Sequence, residues 1–241
     1  MRSIILHSMC SLLACCMLLG AGCARHSVTL SKQSEGIIAA DSIYLTSGFG
    51  VQQGSVCELR GNRIVVGSHV GPIKGRLRIL GRTPASTLQL PSEFDGLAVL
   101  GDAAHLEISS VRVASVSIYA FVVADCGQVV LNNIAFGNVR AKTLVAGRKV
   151  SVELRNIKLL DTSDINCILD IGKLPFIGDA SVNRGSEMKY SSRLALHNCI
   201  TDELSQIGVI ISDATWGAPS TDIVFGDQNV EIGRASCRER G

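Results

Sequence analysis

Four segments of the chain repeat one pattern of apolar and polar positions: Glu107–Val113, Val130–Phe136, Glu153–Leu159 and Ala195–Thr201. Ile108, Leu131 and Leu154 follow one another at 23 and 23 residues, and Leu196 comes 42 later, close to two shorter turns. Within each unit apolar and polar residues alternate with period two, which predicts a half-buried strand. Ser110, Asn133, Asn156 and Asn198 hold the same place in each unit, where a strand must turn a corner. Asn tolerates the left-handed backbone such a corner needs, and its amide can bond to the Asn of the next coil. An internal side-chain ladder is therefore expected at these four positions.

A second series supports the repeat. Phe121–Ala124 and Thr143–Ala146 each precede a member of the first series by a short turn, and Cys167–Asp170 does so by a longer excursion. Gly208–Ile211 leads toward a further unit at Ile223–Phe225. Two or three short strands per coil of about 23 residues, stacked in register, make a parallel β-helix. Upstream, Ile37–Leu45 followed by Gly48 and Gly50, together with Leu77–Pro84, resembles the opening coils of the pectate-lyase-like superfamily. The resemblance spans residues 37–230 and implies an all-β fold, a right-handed parallel β-helix or solenoid. Between Ile171 and Ser192 the pattern lapses into Gly172, Pro175, Gly178, Asn183 and Gly185, as a loop inserted on one face of a solenoid would.

Both ends depart from this pattern. One positive residue, Arg2, precedes a mostly apolar run from Ile4 to Leu19, the n-region and h-region of a cleaved export signal. That run is shorter than the ~20 residues a spanning helix needs. Leu18–Cys23 resembles a bacterial lipobox, with Gly20 where the family has Leu. The resemblance implies cleavage after residue 22 and lipidation of Cys23, anchoring the protein in the cell membrane or the outer membrane. An ordinary signal peptide cleaved nearby is the alternative. Ala24 after the cysteine resembles the outer-membrane sorting pattern, and residues 23–36 read as a short polar tether. Residues 231–241 resemble a translated sequencing adapter, so the solenoid is expected to occupy 37–230 and to continue in natural sequence beyond Val230.

The ends also change the charge. Without residues 231–241, which hold three Arg and two Glu, the net charge falls from +2 to +1, and loss of Arg2 leaves zero. No basic footprint for nucleic acid remains. Apolar residues make up 46 % and aromatics 4 %, which suits a core of Val, Ile and Leu. Four cysteines remain for the mature domain, Cys57, Cys126, Cys167 and Cys199. They form either two disulfides of unknown connectivity or buried apolar thiols.

The resemblance to polysaccharide-cleaving members of the superfamily implies clustered carboxylates, holding calcium or acting as an acid and base pair. Asp161, Asp164 and Asp170 are the candidates here, and ordinary turn residues are the alternative. Arg155 and His197 fall at matching places of two units, where they would line a groove for an anionic sugar, and Tyr190 and Trp216 would stack on its rings. Neither an Asp pair with Gly-His-Gly nor an Arg-x-Pro-x-x-Arg run occurs. The expectation is a monomeric, membrane-anchored cell-envelope lipoprotein without cofactor that binds carbohydrate or another surface polymer. A polysaccharide lyase or glycoside hydrolase, and a structural or adhesive surface protein, are the other two classes.

Overall fold

The computed structural model describes residues 27–67, 70–92, 94, 96–148, 150–160, 163–171, 191–197, 209–211 and 220–225. Their strands are β1 (Ser27–Leu30), β2 (Gly36–Leu45), β3 (Val56–Val66), β4 (Arg76–Gly81), β5 (Thr87–Gln89), β6 (Leu97–Leu100), β7 (His105–Asp125), β8 (Gln128–Arg148), β9 (Ser151–Leu159), β10 (Asp164–Ile171), β11 (Ser191–His197), β12 (Val209–Ile211) and β13 (Ser220–Phe225). Each strand pairing is parallel, in the order β1-β2-β3-β4-β7-β8-β9-β11-β13 along the main path. The molecule is a β-solenoid.

The 23-residue period sets the register. His105 pairs with Gln128 and Gln128 with Ser151, and Ile108 stacks on Leu131 and Leu131 on Leu154. A first face of the coil is built by Gly36–Ala40, Val56–Gly61, β4, His105–Ser109, Gln128–Asn132, Ser151–Arg155, β11 and β13. A last face carries Leu97–Leu100, Ala120–Asp125, Thr143–Arg148, β10 and β12. Strands β7 and β8 run 21 residues each because they bend around several sides of the coil while staying paired. On the first face alternate residues point inward. Leu59, Leu77, Ile79, Leu106, Ile108, Val129, Leu131, Val152 and Leu154 form the core of the first face. Phe121, from the last face of one coil, and Phe136, from the next coil, meet edge to face in the interior.

The corners fall where the Ser and Asn residues stand. Ser110, Asn133 and Asn156 have φ of 59°, 53° and 51°, in the left-handed region that Asn visits most readily among residues with a side chain. Asn138, with φ of 56°, makes a further corner that the sequence pattern does not single out. The corner hydrogen bonds include the expected link from Asn133 to Ser110 and run in a neighbouring file as well. Asn133 Nδ2 donates to Ser110 Oγ at 3.4 Å, whereas Asn156 Nδ2 donates to Asn132 Oδ1, also at 3.4 Å. Asn132 in turn donates to Ser109 Oγ at 3.4 Å. Two adjacent files thus share the bonding, and Asn133 is exposed, because the corner's left-handed residue turns its side chain out of the coil. Asn198 lies outside the described residues.

Two boundaries differ from the sequence reading. The 42 residues from Val152 to Leu194 make one circuit rather than two, since these residues pair directly. The other difference is at the start. Residues 27–30, read as part of a tether, form β1, which pairs Ser27 with Ser42 and Leu30 with Leu45. Val28 and Leu30 alternate with polar residues and pack against the core, which is why this short polar-looking segment joins the sheet.

Cys57 and Cys167 are free thiols, so the two-disulfide arrangement, which needs all four cysteines, is not present; Cys199 lies outside the described residues. Burial pushes the thiols of Cys57 and Cys167 up to about 11, which keeps them protonated, small apolar groups.

Candidate functional site

Outward positions of the first face come in rows, because register stacks equivalent residues ~4.8 Å apart from coil to coil. One row is His105, Gln128, Ser151 and Arg193. Another is Ser109, Asn132, Arg155 and His197, so the expected juxtaposition of Arg155 with His197 is a direct register pair. Between them run Glu107, Val130, Glu153 and Ala195. Within the rows His105 Nδ1 and Gln128 Oε1 are 3.0 Å apart, and Arg155 Nε donates to Glu153 Oε1 at 2.7 Å. Gln128 and Arg155 are exposed. Such a strip offers hydrogen-bond donors and acceptors in a repeat along the solenoid axis.

Nearer the first coils the same face is locked by ions. Arg78 donates to Glu107 through Nε at 2.8 Å and Nη2 at 3.3 Å, and to Glu58 through Nη1 at 2.7 Å. Glu58 also pairs with Arg60. The Arg78 hydrogen bond, against some desolvation, holds the Glu107 carboxyl below the usual glutamate range. A carboxylate so depressed stabilises the fold above its ordinary value of ~4.3 and loses that contribution as pH falls through its folded value. Glu107→Gln is therefore expected to flatten the acid limb of stability below pH ~4 in a urea-denaturation series, while a limb identical to that of the parent would refute this role.

The last face holds a second polar group. Val123 lies between the core residues Val122 and Ala124 and so points outward. In register with it stand Ala146 and Asp170. Ala120, Val123 and Ala146 form a small buried cluster of their own, with Tyr119 against it. Asp170, only 4 % exposed, accepts from Tyr119 Oη at 3.5 Å and lies 3.6 Å from Lys142 Nζ. Lys142 Nζ donates to the Tyr119 hydroxyl at 3.4 Å and sits 5.0 Å from its ring centroid. Burial lowers the Lys142 ammonium, but Tyr119 and Asp170 together raise it further, so it stays charged. Lys142→Met removes the cation from a buried carboxylate and is expected to cost about 1–3 kcal/mol in urea unfolding, with Lys142→Arg close to the parent. A loss under about 0.5 kcal/mol would show the contact to be incidental.

Of the three carboxylates proposed to share an ion, Asp161 lies outside the described residues. The other two lie apart along one strand. Asp164 and Asp170 open and nearly close β10, up to ~20 Å apart at the rise of a strand, and they pair with Arg140 and Ala146 at different places along β8. Asp170 instead meets Lys142 and Tyr119. Tyr190 and Trp216 lie outside the described residues, and so does Cys23. No protein-family model, no curated protein and no solved structure matches the chain.

Proposed function

We propose that this protein is an exported lipoprotein, held to a membrane by acyl chains on Cys23, that lays an extended polymer such as a polysaccharide along the first face of its solenoid. The observation that carries the reading is the register of hydrogen-bonding side chains on that face. From His105 through Gln128 to Ser151, and from Asn132 to Arg155, each coil offers a polar group directly beside the last. A polymer repeats its hydroxyls, and its carboxylates where it is acidic, in the same way, so each additional unit meets a further coil and affinity grows with chain length. A small molecule would engage one coil and leave the rest of the rows unused. The pectate-lyase-like resemblance of residues 37–230 points the same way.

Affinity electrophoresis of the full chain through gels containing neutral or acidic polysaccharides tests this. Retardation that increases with polymer length is expected. Gln128→Ala with Arg155→Ala should weaken it at least tenfold, and Lys158→Ala, past the Asn156 corner on another side of the coil, should leave it unchanged. Equal retardation of all variants, or none with any polymer, refutes the reading, and shortening of the polymer during the run would instead favour a depolymerising enzyme. Cys23→Ser tests the anchor independently, since lipidation supplies about 0.8 kcal/mol per buried methylene and its loss should move the protein from membrane to soluble fractions.

A further inference from the structure

We infer that a second face of the solenoid is a docking surface for anionic lipid headgroups, with Arg63, Arg112 and Lys158 as its contacts and the polymer face around the corner left clear. The inference rests on the reading of Cys23 as the lipid-bearing residue.

The second face follows the corner that Ser110, Asn133 and Asn156 mark. It is built by β1, Ser42–Leu45, Arg63–Val66, β5, Arg112–Ala114, Ala135–Gly137 and the end of β9, all in parallel register. Ile43, Ile64, Leu88, Val113 and Phe136 point into the core, so the residues on either side of each point outward. One outward row runs from Ser42 through Arg63, Thr87, Arg112 and Ala135 to Lys158. Cations therefore stand on every second strand, about 9.6 Å apart at ~4.8 Å per strand, with a short uncharged residue between them. The neighbouring row, Tyr44, Val65, Gln89, Ala114 and Gly137, carries no charge.

These charges are not spent within the fold. Among the described residues neither row holds a carboxylate, and Asp41, at the corner before Ser42, is paired with Arg82 at 3.3 Å. The described ion pairs take in Arg60, Arg78, Arg82, Lys142 and Arg155, but none of the three row cations. Arg63 is held by neutral groups: its Nε and Nη2 donate to Gln89 Oε1 at 3.1 and 2.8 Å, and its Cζ lies 6.0 Å from the Tyr44 ring centroid. Arg112 lies over Gly137, where a Cβ would come within 3.2 Å of its Nη2. All three cations are exposed. A net charge of only +2 hides this segregation, because the first face sets Glu58, Glu107 and Glu153 among its arginines.

The anchor enters on the same row. Ser27 of β1 pairs with Ser42 and so begins it. Cys23 comes four residues earlier, a span of at most ~14 Å. Arg63, Arg112 and Lys158 stand two, four and six strands from Ser27, about 10, 19 and 29 Å along the axis. Acyl chains on Cys23 thus hold the foot of the row at the headgroups, with the cations in line beyond it. Each Lys or Arg at an anionic surface strengthens binding about fivefold, so three together give on the order of a hundredfold. A lipid joined to a basic patch is a two-signal attachment, and the patch also sets which face meets the membrane.

The lipidated full chain in phosphatidylethanolamine–phosphatidylglycerol vesicles tests this, with the photocrosslinking residue p-benzoylphenylalanine in place of Thr87, Ala135 or, on the first face, Val130. Lipid adducts at 87 and 135 are expected at least fivefold above those at 130. Arg63→Gln with Arg112→Gln and Lys158→Gln should bring them down to the level at 130, as should phosphatidylcholine vesicles or 1 M salt, where screening reaches ~3 Å. Mass analysis of the N-terminal peptide separates the two ideas. An unacylated Cys23 overturns the anchor and the docking face together, whereas an acylated Cys23 with equal adducts at all three positions overturns the docking face alone. Adducts that survive the triple substitution or the salt would overturn the role of charge. Loss of retardation by Lys158→Ala in acidic gels would give the row to the polymer and likewise overturn the inference.

Discussion

Phe136→Ala is expected to lower unfolding free energy by about 3–5 kcal/mol, the range for removing a large aromatic from a closed core. Phe136 is fully buried at the inward side of β8 and packs its ring edge to face on Phe121, with centroids 5.5 Å apart and planes at 90°. Such a pair contributes beyond the area it buries, and here it joins one coil to the next, because Phe136 belongs to β8 and Phe121 to β7. A solenoid limits how the structure can respond. Each coil touches only its neighbours, so a void at one level is closed only by breaking the register of the coils above and below. The loss should therefore be local as well as large: hydrogen exchange of β7 and β8 amides should accelerate, and that of β2 and β3 should change much less. Ile134→Val, two residues away and also buried, should cost about 0.5–1.5 kcal/mol. A Phe136→Ala chain within about 1 kcal/mol of the parent in urea would mean that the two rings do not meet as described.

The same packing explains what was legible in the sequence. Between His105 and Leu159 the coils are nearly identical in length, their corners carry Ser or Asn, and the alternation of inward and outward residues is visible by eye. Upstream the period is 21 from Gly36 to Cys57, 20 from Cys57 to Leu77 and 29 from Leu77 to Leu106, which a search for one spacing misses. The corner positions there are Gly61 and Gly81, which carry no side chain to announce a ladder, and β3 hides its alternation behind a buried Glu58. The polar site was legible only in part. Arg155 and His197 could be matched because their units align in sequence, and register pairs them. In the sequence Asp170 stands near other carboxylates, but its neighbours in space include Tyr119 and Lys142, brought to it by stacking across 51 and 28 residues. An outward Tyr or Lys one coil apart has the same sequence signature as any solvated side chain. Only the fold reveals that a buried acid lies beside them.

The second large effect is expected at one of those silent corners. Gly81 lies at the end of β4, in register with Gly61, and a Cβ built on it would stand 1.9 Å from Ser110 O and 2.9 Å from Ser110 C. Both are backbone atoms of the next coil's corner, so no rotamer change can make room. Gly81→Ala must push two coils apart, and it is expected to cost 3 kcal/mol or more, beyond the ~1–3 kcal/mol typical of overpacking that side chains can absorb. Gly101 is the control that separates contact from conformation. It has φ of +110° and nothing within 4 Å of a built Cβ, so Gly101→Ala meets only the backbone penalty of a side chain at positive φ, of order 1–3 kcal/mol. If the coils are stacked as described, Gly81→Ala should be the more damaging of the two in urea denaturation, even though Gly81 has no positive φ of its own. Its hydrogen-exchange changes should centre on β4 and on β7 around Ser110, where the close approach occurs. Equal losses at both glycines would mean that the close approach at Gly81 costs no more than the positive φ at Gly101, and a tolerated Gly81→Ala would mean that the Ser110 corner does not lie against Gly81.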